Sequence, residues 1–182
     1  IIFVIVMVVI TSQIPSYEIV DEDLQSNIHF DTLMDITASE YEVSDEVGDI
    51  SDLRFMVNLK TLNIPDASNI TDYSVLYNMP SIENLTIRNA EELEDIGFLS
   101  SLVNLQYLNI EGSRIDDLSI LEDNLSITEL VLENNEELSD YTFLDNLPSL
   151  KKLKLTTTQG ALIPDFSQHK FLTDININGE TK

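Results

Sequence analysis

The sequence predicts an α/β solenoid: a curved stack of short coils, with a parallel sheet on the concave side and short helical or irregular segments on the convex side. Three observations predict it. An L-x-x-L-x-L rhythm recurs six times, its first members separated by 23, 23, 22, 23 and 22 residues. An aspartate recurs almost in step, at Asp49, Asp72, Asp95, Asp117, Asp140 and Asp165. Between aspartate and triad the apolar residues fall three apart, as Leu93, Ile96, Leu99 and Leu102 do in "LEDIGFLSSL". A fixed period of this length marks stacked units, none of which can bury its apolar face alone.

The triads are Leu59, Leu62, Ile64; Ile82, Leu85, Ile87; Leu105, Leu108, Ile110; Ile127, Leu130, Leu132; Leu150, Leu153, Leu155; and Leu172, Ile175, Ile177. The last two members of each are i and i+2, so they share one face of a short strand. The first member lies where the chain turns inward. A weaker copy, Leu33, Ile36 and Ala38, stands ahead of these and is expected to form the first coil. In the return stretch the three-residue spacing fits one or two turns of helix-like backbone and no strand. The recurring aspartate can accept hydrogen bonds from the amides that open such a turn. Metal binding is not expected there, because the aspartates stand one per repeat and no D-x-D-x-D-G calcium loop occurs.

These segments resemble leucine-rich repeats of the 22-residue type found in bacterial internalins. The resemblance runs from about residue 43 to 182, and "DISDLRFMVNLKTLNI" (49–64) is similar to that family's pattern throughout. It implies a leucine-rich-repeat solenoid, or horseshoe, that binds a partner without catalysis, with adhesion or host interaction as one use. The family places an asparagine three residues after the last leucine of each strand. Here that position reads Ala67, Ala90, Ser113, Asn135, Thr158 and Glu180, and only Asn135 conforms, which predicts slightly loosened repeats.

The division expected is 1–15, 16–32 and 33–182. Residues 1–15 open on "IIFVIVMVVI", which reads as the remains of a signal peptide's apolar region or of a signal anchor. Residues 16–32 read as an N-terminal cap: Asp21 could start a short helix carrying Leu24, Ile28 and Phe30, and a solenoid needs its first coil covered. Residues 33–182 hold one weak and six clear repeats. Only "NGETK" follows the last triad, so the chain is expected to continue beyond it.

Charge and composition exclude several functions. Thirty-three acidic residues face nine basic ones, a net charge of −24, so clustered cations for a phosphate backbone are missing and nucleic acid is not an expected partner. No cysteine occurs, which removes thiol catalysis, disulfides and cysteine-based metal sites. His29 and His169 lie at opposite ends of the stack and read as surface or cap residues. No P-loop, dinucleotide loop or G-x-S-x-G motif is present, so the chain reads as no enzyme, and no cofactor is expected.

Strand alternation assigns the outward positions of the sheet to three columns. The first runs Thr61, Asn84, Tyr107, Glu129, Lys152, Asp174; the second Asn63, Thr86, Asn109, Val131, Lys154, Asn176; the third Pro65, Arg88, Glu111, Glu133, Thr156, Asn178. Glu129, Lys152 and Asp174 should form a charge ladder and Arg88 should pair with Glu111. Lys154 has no opposite charge in its own column. Tyr107 and Val131, rimmed by Arg88, Asn109, Glu133 and Lys154, have the composition of a small recognition patch. The expected protein is therefore a monomeric binding module, secreted or displayed on a bacterial surface, taking a protein or glycan on its concave face. Its only expected membrane contact is through the N-terminal run. Two alternatives are a cytosolic scaffold, as in 22-residue-repeat phosphatase regulators, and the sensing domain of a larger enzyme.

Overall fold

A computed structural model of the chain describes residues 37–122 and 124–181. The apolar run 1–15 and the expected cap 16–32 lie outside the described residues. Eight strands form one open sheet in strict chain order: β1 (Glu40–Glu42), β2 (Thr61–Ile64), β3 (Asn84–Ile87), β4 (Tyr107–Glu111), β5 (Glu129–Glu133), β6 (Lys152–Leu155), β7 (Asp174–Ile177) and β8 (Glu180–Thr181). The first seven pair in parallel and β8 returns antiparallel on β7. The register joins Leu62, Leu85, Leu108, Leu130, Leu153 and Ile175 into one inward column, and Ile64, Ile87, Ile110, Leu132, Leu155 and Ile177 into a second. All but the two in β7 are buried. The six triads are thus in the register their spacing implies.

Each convex return is a short 3₁₀ segment, Ser51–Phe55, Ser74–Asn78, Gly97–Ser101, Ser119–Leu121, Thr142–Asn146 and Phe166–Gln168. Residues three apart eclipse in this geometry, so apolar residues at that spacing make one straight inward stripe. Ile96, Leu99, Leu102 and Leu105 are chained by amide-to-carbonyl bonds of 2.9, 3.2 and 3.0 Å, and all four are buried. Each recurring aspartate accepts from the amide two residues on: Asp49 from Ser51 at 2.8 Å, Asp72 from Ser74 at 2.8 Å, Asp95 from Gly97 at 2.8 Å, Asp117 from Ser119 at 2.7 Å, Asp140 from Thr142 at 2.9 Å and Asp165 from Ser167 at 3.1 Å. The aspartates therefore close the turn that opens each 3₁₀ segment, where an amide would otherwise lack an acceptor.

Three expectations are corrected. The first strand lies five residues later than the weak triad: Tyr41 pairs with Leu62, Val43 donates its amide to the Asn63 carbonyl, and Ala38 precedes them. Nor are the repeats loosened by the missing asparagines. Ala67 and Ala90 are fully buried, and their amides bond straight to the next rung, at Arg88 (2.8 Å) and Glu111 (3.2 Å). An alanine leaves room for this close approach, which is why the ladder holds without side-chain amides. Asn89, Gly112 and Asn134, each one residue before that position, have positive φ of 52°, 67° and 56° and turn the chain off the strand. Glu180, finally, occupies no ladder position. Asn178 and Gly179, with φ of 54° and 84°, form a two-residue hairpin turn that places Glu180 in β8, as Asn-Gly favours.

A second ladder follows the edge where the chain enters the strands. Ser81 donates to the Val57 carbonyl at 3.4 Å, Asn104 to Pro80 at 2.8 Å and Ser149 to Leu125 at 2.7 Å. Val57, Val103 and Leu125 project from this edge and are more than 60% exposed.

Candidate functional site

The first two predicted outward columns meet on the sheet as expected; of the third, Glu111 and Glu133 pair in register, while Pro65, Arg88 and Thr156 follow the ends of their strands and Asn178 lies in the β7–β8 turn. Tyr107 lies between Asn84 and Glu129, and Val131 between Asn109 and Lys154. Tyr107 and Val131 are thus diagonal neighbours on β4 and β5, a separation within reach of an aromatic side chain. Both are half-buried. Inward Leu108, Ile110, Leu130 and Leu132, all buried, fix the directions of the residues between them.

Ion pairs rim this centre. Arg88 Nε approaches Glu111 Oε2 at 3.7 Å, the pair expected from the sequence. Lys152 Nζ donates to Glu129 Oε2 at 3.0 Å, and that bond raises the lysine above its ordinary pKa. Asp174 adds a weaker attraction from longer range. Lys154 is not left alone: its Nζ meets Glu133 Oε2 at 2.7 Å, diagonally across columns. A column count misses this because a lysine is long enough to reach the diagonal position. These pairs are exposed, so they order side chains and add little stability.

Asn109 is the unexpected member. It points outward, between buried Leu108 and Ile110, yet is only 3% exposed. Its Oδ1 meets no hydrogen-bond donor among the described residues. Sequence alternation finds its direction but gives no sign of its burial, which depends on neighbours from three strands.

Outside this centre, the His169 side chain is 6% exposed, its Nε2 3.6 Å from Asp145 and its ring edge-on to Phe166 at 5.5 Å. It is a packed residue of the last coil, where a surface or cap position was expected. A concavity of about 590 Å³ beside it is lined by Ile163, Phe166, Ile175, Ile177, Asn178 and Glu180. Among the described residues no three histidine or acidic side chains converge as metal ligands, and no helix is long and apolar enough to cross a membrane.

No family model and no curated sequence matches the chain. Solved structures do. Internalin C2 from Listeria monocytogenes superposes with a TM-score of 0.61 at 25% identity, over 72% of this chain and 57% of that one. A second internalin of that organism, inlF, gives 0.60 at 24% identity over 72% and 38% of the two chains. A leucine-rich-repeat protein of Leptospira interrogans gives 0.57 at 18% identity over 70% and 33%. The chain therefore spans little more than half of internalin C2 and less of the other two. By its repeat and its fold, the chain is a leucine-rich-repeat solenoid similar to those of bacterial internalins.

Proposed function

We propose that this chain is a non-enzymatic binding module, secreted or displayed on a bacterial surface, that holds a protein partner on its concave sheet and acts as a monomer. The observation that carries this reading is the diagonal pair Tyr107 and Val131, set at the middle of a sheet whose other outward positions are mostly polar or charged. A half-buried aromatic beside an aliphatic, ringed by Arg88, Asn109, Glu133 and Lys154, has an apolar centre and a polar rim. Adjacent strands hold these groups in fixed relation, so little ordering is needed on binding. The likeness to internalins supports the surface location and an interaction role; adhesion or host contact is one use such a module serves. A glycan is the second ligand class that the patch could stack against.

The test is to cross-link the native protein to its partner and compare Tyr107→Ala with Glu122→Ala, an exposed residue beyond a convex 3₁₀ segment. Loss of an aromatic anchor should weaken binding by about 2 kcal/mol or more. Equal binding by the two folded variants would move the site off the concave face.

A further inference from the structure

We infer that Asn109 marks a subsite for an arginine side chain of the protein partner, a reading that rests on the concave sheet being the binding face. Two other asparagines share its column. Asn63 donates its amide to Glu42, and Asn176 Oδ1 accepts from the Gly179 amide at 3.0 Å. Asn109 Oδ1 alone of these carbonyls combines near-complete burial with no donor among the described residues. Buried polar atoms without partners are few in native proteins, since each has lost its water and gained nothing. A carbonyl oxygen lacks one thing, a hydrogen-bond donor. In register Asn109 lies between two other outward residues, Thr86 on β3 and Val131 on β5.

The surroundings specify a cationic donor. Val131 lies beside Asn109 in register, and Glu129 and Glu133 stand at the two diagonal positions of the same strand. Each of these glutamates holds a lysine through Oε2, and their Oε1 atoms meet no donor among the described residues. A guanidinium carries five N–H donors in one plane, enough to serve Asn109 Oδ1 and a glutamate oxygen together. It also stacks on an aromatic face, and Tyr107 stands two residues from Asn109 on β4. The net charge of −24 draws cationic groups toward the molecule and repels acidic ones. A glycan hydroxyl can also donate, but that field gives it no advantage.

The probe is N-acetyl-arginine methylamide, titrated into the native protein and followed by NMR at the Asn109 side-chain amide and the Tyr107 ring. The uncharged citrulline analogue is the control. Saturable shifts at both residues are expected, with the citrulline compound about tenfold weaker for want of charge assistance. Asn109→Leu should abolish the shift at Tyr107 while keeping or raising the melting temperature, because it removes the unpaired carbonyl. Equal binding of both compounds, retained binding by Asn109→Leu, or a sharply lowered melting temperature in that variant would each overturn the subsite. Capture of the protein partner separates this inference from the reading beneath it. A partner lost by Tyr107→Ala but kept by Asn109→Leu leaves the concave face standing and removes the arginine subsite. A partner kept by both removes the concave face itself.

Discussion

Asn135 and Ser113 hold two successive rungs together at a buried corner. Asn135 Oδ1 accepts from both the Ser113 amide (2.9 Å) and the Ser113 hydroxyl (2.7 Å), while its Nδ2 donates to the Ile110 carbonyl at 3.0 Å. Asn135→Ala would leave the Ser113 amide and the Ile110 carbonyl without this partner in a dry site. The expected cost is about 1–3 kcal/mol by denaturant unfolding, the penalty for a buried unpaired group. No loss would mean that the rungs close through backbone alone here, as they do at Ala67 and Ala90.

Leu108 has strands on both sides and is fully buried. Leu108→Ala should destabilise by about 2–5 kcal/mol through lost transfer energy and a residual cavity. Leu172, in the last coil and only partly buried, should cost clearly less when truncated the same way. Equal losses at the two sites, measured by urea unfolding, would contradict the burial gradient along the stack.

Gly97 stands where the other aspartate turns carry serine or threonine. A side-chain carbon added there would clash with the Tyr77 hydroxyl, and Tyr77 packs edge-on against Phe98 at 6.4 Å. The Tyr77 ring is partly exposed and can swing out, so Gly97→Ser should cost only about 1 kcal/mol, the worth of an aromatic pair. In a Tyr77→Ala background the same substitution should cost nothing. A double-mutant cycle with no coupling would show that the phenol does not fill that space.

The turn aspartates predict an acid-dependent loss. Amide donation from Ser74 and Thr142 holds Asp72 and Asp140 below the ordinary carboxylate value of 3.8. A folded-state pKa below the unfolded one means that the contribution is complete above about pH 4 and fades as pH falls through the folded-state values. Asp72→Asn/Asp140→Asn keeps the acceptor oxygens and removes the charges. Its stability deficit against the native protein should be full near pH 6 and should close as pH falls through the lowered folded-state values. A deficit that persists at low pH would place the effect in hydrogen-bond geometry and not in charge.

The sequence by itself determined the coil, the strand register from β2 to β7, and the direction of every outward residue in those strands. The reason is that an i, i+2 apolar pair recurring every 22 or 23 residues cannot slip by one without turning its leucines to solvent. The three-residue stripe and its aspartate were legible for the same cause: a repeated local contact leaves a repeated local spelling. Tertiary structure alone decided what lacks such repetition. At β1, with a described parallel neighbour only on one side, Ala38 and Tyr41 stand where inner coils carry leucine, so the apolar pattern at Leu33 and Ile36 misled. Lys154 found Glu133 by reaching across a diagonal, and Asn109, though it points outward, is buried. Pairing and burial of outward side chains depend on the lengths and rotamers of several strands at once, and no period in one chain records them.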